Sequence, residues 1–302
     1  MEDSEILHDF PPFLKVYKNG HIQRLSGTGI VPPSDDPQTG VRSKDIVISP
    51  ETGLDARLFL PKTTTTTPKF PLLVYYHGGA FCTQSAFSPD FQAYHTALAA
   101  EANVLILSVN YRLAPENPPP ICYYDAWEAH QWISSHASGI PSNEEAWLSD
   151  HADFSKVYFG GDSAGANIAH NVAVKVGAEG LQGVKIKGIA LVHPFFHNEE
   201  PREFLAYLFP SGDVCSDPRL NPRLEPNLSK LGCEKVLVCV AEKDKYKERG
   251  HDYCEFLKKS GWRGDVKVFE TEGEGHVFHL FKQTSEKAIE LLKLVASFLN
   301  ED

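Results

Sequence analysis

The 302-residue chain has no run approaching the roughly 18 continuous apolar residues that a membrane-spanning helix needs, so no membrane partner is expected. It also lacks a basic stripe. Its 29 Lys and Arg are outnumbered by 40 Asp and Glu, a formal net charge of −11, and nucleic acid is therefore not expected as a partner. No block of like charges suggests an interaction tail. The six cysteines, Cys82, Cys122, Cys215, Cys233, Cys239 and Cys254, form no C-x-x-C pair. Neither a zinc site nor a disulfide framework is expected from them, and reduced, structural thiols are. The opening stretch MEDSEILHDFPPFLKVYKNG has no basic segment leading into an apolar one, so export is not expected either. No internal repeat is visible. These absences predict a soluble, cytoplasmic protein, with monomer or homodimer left open.

What is present is rhythm. The first 45 residues, rich in Pro, Gly, Ser and Asp, read as a covering arm, with Asn19-Gly20 marking a hairpin turn. KDIVIS and ARLFLP read as two antiparallel strands, and KTTTTTPK as an exposed low-complexity loop. From there short apolar runs alternate with helical patterns. LLVYYH, NVLILSVNY, KVYFGG, IKGIALVHPFF and KVLVCVAEKD are continuously apolar, as parallel strands covered on both faces should be. Helical patterns fall near 90–101, 123–137, 164–177 and 247–260. A last one places Ala288, Ile289, Leu292, Val295 and Leu299 on one stripe behind Thr284-Ser285. The fold class predicted is α/β, one unit spanning 1–302, with a mostly parallel sheet and helices on both faces.

One strand ends in an unusual way. Gly161-Asp162-Ser163-Ala164-Gly165 sets a serine between small residues where KVYFG gives way to a helical segment. That is how a nucleophilic hydroxyl is raised on a sharp strand-to-helix turn, where small neighbours are needed because the backbone is crowded. A serine nucleophile needs a base, and the base needs an orienting acid. After Ser163 the histidines are His170, His193, His197, His251, His276 and His279. His276 stands in the Gly- and Glu-rich loop TEGEGHVFHLF between a strand pattern and the last helix, the setting expected of a general base. His279 and His170 read as packing or surface residues, and His193 as a pocket-lining one. Asp244 ends KVLVCVAEKD, just past the carboxyl end of a buried strand, where sites gather in open α/β sheets. It is preferred as the acid over Glu242, Asp252 and Asp265. HGGA, His77 to Ala80, follows its own strand, and Gly78 and Gly79 together with Ala164 are the expected oxyanion donors. Arg112 and Glu116 read as loop-fixing residues, Trp127, Trp132 and Trp147 as packing, and Asp162 as an acceptor for local N–H groups.

Taken together, His77-Gly78-Gly79-Ala80, Tyr111-Arg112-Leu113-Ala114-Pro115-Glu116 and Gly161 to Gly165 resemble the hormone-sensitive-lipase-like branch of the α/β-hydrolases. LKVYKNGHIQRL, DPQTGVRSKDIVIS, HADFSKVYFGGDSAGANIAH and KSGWRG are similar to plant carboxylesterases, a group that includes 2-hydroxyisoflavanone dehydratase and the gibberellin receptor. The resemblance covers nearly the whole chain. It implies a serine carboxylesterase with Ser163, Asp244 and His276 as triad, Gly78, Gly79 and Ala164 as oxyanion donors and no cofactor. It also implies a cap made by the arm and by inserts. Two features depart from the pattern: Ala80 replaces a third glycine, and the insert at 195–234 is short. A lyase or cyclase like the dehydratase is the alternative reading. A catalytically silent hormone-binding protein is a third, which His276 argues against.

Overall fold

The computed structural model describes residues 5–64, 69–140, 144–197, 203–210 and 212–301. Half of the KTTTTTPK segment, residues 65–68, and residues 198–202 and 211 of the expected insert lie outside them. The chain opens with a small antiparallel sheet of β1 (Ile6–Phe10), β2 (Leu14–Tyr17) and β3 (Ile22–Arg24). Its tight turn is the expected one: Gly20 takes a φ of +83°, which glycine adopts without a Cβ penalty, and donates to the Tyr17 carbonyl at 2.9 Å.

The main sheet contains β4 (Arg42–Ser49), β5 (Leu54–Leu60), β6 (Phe70–Tyr76), β7 (Leu105–Asn110), β8 (Ala152–Asp162), β9 (Ile186–Val192), β10 (Lys235–Ala241) and β11 (Asp265–Thr271). Their order is β11-β10-β9-β8-β6-β7-β5-β4, and β5 alone runs against its neighbours. The apolar runs behave as predicted, with period 2 and both faces covered. Leu72, Val74 and Tyr76 of β6 face one core while Leu73 and Tyr75 face the other, and β10 splits in the same way. Helices α2 (Ile121–Ala137), α4 (Ala164–Glu179) and α6 (Lys247–Lys259) cover the first face; α1 (Pro89–Ala102) and α8 (Glu286–Asn300) cover the second. Three short helices, α3 (Ala146–His151), α5 (Glu203–Leu208) and α7 (Phe278–Phe281), complete the described α-helices.

The stripe on α8 differs from the expectation at one position. Ile289 is 43% exposed, and the seam runs through Ala288, Leu291, Val295, Phe298 and Leu299 instead. Ile289 is one residue past Ala288, about 100° around the helix, so it falls off the face that α1 meets. Ser285 caps α8 by accepting the Ala288 N–H at 3.2 Å. Along α4 the first seven residues are buried on all sides, because this helix lies between α2 and the carboxyl ends of β6 and β8. The sheet order reverses direction at β6, where β7 lies on one side and β8 on the other. The crevice at such a switch point is where open α/β sheets place their sites.

Candidate active site

Two turns meet in that crevice. The first follows β8: Ser163 sits at φ +52°, ψ −116°, outside the ordinary regions for a residue with a Cβ. The conformation is held from both sides, since the Ser163 N–H donates to the Val192 carbonyl at 2.9 Å and the Phe195 N–H donates to the Ser163 carbonyl at 3.0 Å. The flanking glycines are there for close approach. A Cβ on Gly165 would lie 1.9 Å from the Tyr76 carbonyl oxygen, and one on Gly161 would lie 2.4 Å from the Gly165 backbone. No larger residue lets α4 start this near to β6.

Ser163 Oγ lies 2.9 Å from His276 Nε2, and His276 Nδ1 lies 2.6 Å from Asp244 Oδ2. A carboxylate only accepts, so Nδ1 carries the proton and Nε2 is left as acceptor for the serine hydroxyl. Burial alone would raise the Asp244 carboxyl, but the hydrogen bond and charge of His276 and the Tyr246 N–H at 2.9 Å outweigh it and hold it below the ordinary range. His276 belongs to the connection between β11 and α7, as the sequence suggested. That connection is fastened by the Val277 N–H donating to His193 Nδ1 at 3.2 Å. Tyr246 packs edge-on against the His276 ring, 5.3 Å between centroids.

The other candidates lie elsewhere. His279 is buried edge-on to Tyr94, His170 is buried with Nδ1 3.1 Å from the Tyr253 hydroxyl, and His251 pairs with Glu270. His197 is buried, its N–H donating to Leu220. Glu242 accepts the Gly273 N–H at 2.6 Å. Asp252 is on α6 and Asp265 begins β11. Arg112 grips the buried Asp125, and Glu116 is gripped by Arg24. Trp127, Trp132 and Trp147 pack under Lys175, against His136 and under Lys44.

The second turn, after β6, bears on one expectation. The Gly78 N–H is already engaged, donating to Asp162 Oδ1 at 3.1 Å, and a Cβ on Gly78 would lie 2.2 Å from Asp162 Oδ2. Gly78 is thus a packing position against the residue before the serine, and its N–H is not free for an oxyanion. Gly79, Ala80 and Phe81 all take positive φ, at +103°, +53° and +62°. For the two non-glycine residues this costs on the order of 1–3 kcal/mol each. Within the described residues the N–H groups of Gly79, Ala80 and Ala164 make no hydrogen bond, the last because it opens α4. Ala80, a small residue directly after two glycines, is not among the donors the sequence suggested. Asp162 also accepts from the Tyr75 hydroxyl at 3.0 Å, and burial pushes its carboxyl up to about 6 despite both donors. The open clefts beside Phe256 and along α1 lie away from this crevice and bring no nucleophile and base together.

A mostly parallel sheet with a serine raised on a strand-to-helix turn and a histidine and acid carried on later loops defines a class. Residues 73–280 match the family model described as alpha/beta hydrolase fold, and the chain belongs to that family. Within it, the chain is 45% identical to 2-hydroxyisoflavanone dehydratase of Glycyrrhiza echinata, over 98% of its own length and 96% of the relative's. It is equally 45% identical to the Arabidopsis thaliana protein named "Probable carboxylesterase 13", over 99% of both chains. Among solved structures it is similar to a hyperthermophilic esterase from the archaeon Pyrobaculum calidifontis, with a TM-score of 0.72, 27% identity and 85% of each chain covered. A thermophilic carboxylesterase cloned from a metagenomic library matches with a TM-score of 0.72 and 25% identity, over 85% of this chain and 88% of that one. Among the described residues no helix is long and apolar enough to cross a membrane.

Proposed function

We propose that the protein is a serine carboxylesterase in which Ser163 is the nucleophile, His276 the base and Asp244 the orienting acid. The observation that carries this is the unbroken relay from Ser163 Oγ through His276 to Asp244, at 2.9 and 2.6 Å. In the proposed reaction Ser163 Oγ attacks the ester carbonyl while Nε2 takes its proton. The tetrahedral intermediate then expels the alcohol as His276 returns that proton to it. Water, deprotonated by the same histidine, attacks the acyl-enzyme, and His276 passes that proton to Ser163 Oγ as the carboxylic acid leaves. Asp244 keeps Nδ1 protonated and balances the imidazolium. For the oxyanion we propose Gly79, Ala80 and Ala164 as donors, with Gly78 holding the loop to Asp162. Each of these steps is assigned to side chains and backbone of this chain.

The substrate class is a small to medium acyl ester. Phe81, Phe195 and Tyr246 support this, since Phe195 packs edge-on to Phe81 at 6.1 Å and to Tyr246 at 5.2 Å next to His276. We read residues 1–302 as one hydrolase unit, with the described parts of 1–45 that precede β4 and of 195–234 forming a roof. Phe13 stacked on Phe204 at 4.9 Å, and Phe10 tilted against it at 5.2 Å, support that roof. The cytoplasm is the proposed location, in keeping with the acidic composition.

The test is turnover of p-nitrophenyl acetate and butyrate by wild type and Ser163→Ala, with a phosphonate label located by mass spectrometry. Label on Ser163 and a loss of kcat on the order of 10⁴ to 10⁶ in the variant are expected. Near-normal turnover by Ser163→Ala would sink the assignment. A second reading is favoured by the dehydratases of Glycyrrhiza echinata and Glycine max, 45% and 41% identical. In it the same loop stabilises an enolate-like intermediate during elimination of water. A folded wild type that hydrolyses neither ester and takes no label moves the weight to this lyase.

A further inference from the structure

The loop after β6 is held in its left-handed course by more than its own sequence. From beneath, Asp162 takes the Gly78 N–H at 3.1 Å and the Tyr111 hydroxyl donates to the His77 carbonyl at 2.7 Å. From outside comes a residue of the N-terminal sheet. Arg24, at the end of β3, donates from Nε to the Cys82 carbonyl at 2.7 Å. Its Nη1 and Nη2 grip the Glu116 carboxylate at 2.9 and 2.6 Å, and Nη2 also reaches the Ala114 carbonyl at 3.2 Å. The adjacent Ala114 N–H donates to the Phe81 carbonyl at 2.9 Å. Two consecutive carbonyls of the loop are therefore tied to Arg24 or to its anchor. The guanidinium suits this role: it is planar, permanently charged and only 23% exposed, so its bidentate pair fixes direction as well as distance.

We propose that Arg24 is a positioning residue for the esterase reaction: the N-terminal sheet, through Arg24, locks the loop that presents the Gly79 and Ala80 N–H groups to the oxyanion. The proposal rests on the esterase reading above and goes beyond it. A segment that merely roofs the site affects how substrate is held. One that fixes the oxyanion donors affects the chemical step.

The test uses the full chain, with Arg24→Ala, Arg24→Lys and Glu116→Gln, and with Lys18→Ala as control. Lys18 lies between β2 and β3 in the same small sheet and pairs with Glu5 at 2.7 Å, with no hydrogen bond or ion pair to the loop among the described residues. Kinetics on p-nitrophenyl butyrate give kcat and KM, and amide hydrogen exchange over residues 77–84 reads loop order without any turnover. For Arg24→Ala we expect kcat to fall about 10²-fold with KM within about threefold, and exchange over 77–84 to accelerate. Arg24→Lys, which can keep one donor on Cys82, should lie between, and Lys18→Ala should match wild type. If Arg24→Ala fails to fold, the decision passes to Arg24→Lys and Glu116→Gln. Wild-type kcat and exchange in the folded Arg24 and Glu116 variants overturn the proposal, as does a rise in KM alone. A wild type that hydrolyses no ester overturns the esterase reading and the catalytic claim with it; an active wild type beside an unaffected Arg24→Ala overturns only the proposal.

Discussion

Lowering the pH from 7.5 to 5 should unfold this protein through its core histidines. His77, His95, His130, His170 and His279 are all buried, and burial lowers their pKa to about 4, 3, 4, 3 and 3 respectively. Each has at least one ring nitrogen without a hydrogen-bond partner among the described residues, and His95 and His279 have two, so a charged imidazolium would have no acceptor. The unfolded chain binds these protons near pH 6.5. A folded pKa below the unfolded one means that the stabilisation is complete above about pH 6.5 and is lost as pH falls toward the folded values. At pH 5 each ring costs about 2 kcal/mol, a figure set by the unfolded pKa and insensitive to the folded one once that lies below 5. Five rings give about 10 kcal/mol, comparable to the whole stability of a typical domain. Asp162 works the other way. Its carboxyl is raised to about 6, so the folded state gains protons first, and the penalty present at pH 7 eases by about 1 kcal/mol on going to pH 5. Histidine wins by a wide margin. Urea unfolding followed by tryptophan fluorescence at pH 7.5, 6 and 5 should show the midpoint collapsing between the last two. His95→Phe keeps a ring beside Phe59 and Tyr75 while removing the titration, and should shrink the loss by about 2 kcal/mol. A total loss below about 2 kcal/mol between pH 7.5 and 5 would refute the reasoning, because it would mean that these rings are either hydrated or already charged in the fold.

Two other perturbations follow from single contacts. Gly165→Ala forces a Cβ to within 1.9 Å of the Tyr76 carbonyl, a backbone atom that cannot swing away, so a thermal melt should report a destabilisation of about 3 kcal/mol or more; a wild-type melting point would show that α4 is not pinned there. Asp244→Asn should leave the circular dichroism spectrum unchanged and lower kcat by about 10⁴-fold, whereas Glu242→Gln, which keeps an oxygen to accept the Gly273 N–H, should lower it less than threefold; equal effects of the two would remove Asp244 from its assigned role.

Both the fold and the relay were readable because local pattern and long-range structure agree in those parts of the chain. A strand covered on both faces must be apolar at every position, and β6, the Val157–Gly161 half of β8, β9 and β10 are nearly so. A serine between glycines after such a strand has few structures available to it, and the order Ser163, Asp244, His276 follows from which loops reach the carboxyl edge. The parts that were not readable are those in which a residue's role is decided by a neighbour far along the chain. Gly78 and Gly79 look alike in sequence, but Asp162, 84 residues after Gly78, engages the N–H of the first and not that of the second. His170 looked equally suited to the surface or to packing, and burial followed only once α6 brought Tyr253 against it. Arg24 carried no signal at all, since nothing in IQRL indicates a carbonyl 58 residues away. The loop after β6 therefore joins contributions from β3, β8 and the YRLAPE segment, none of which specifies its course alone. Its left-handed residues Ala80 and Phe81 are affordable because these separate anchors act together. Transplanting HGGAF without Arg24, Glu116 and Asp162 should thus give a loop of the right sequence that relaxes away from the serine.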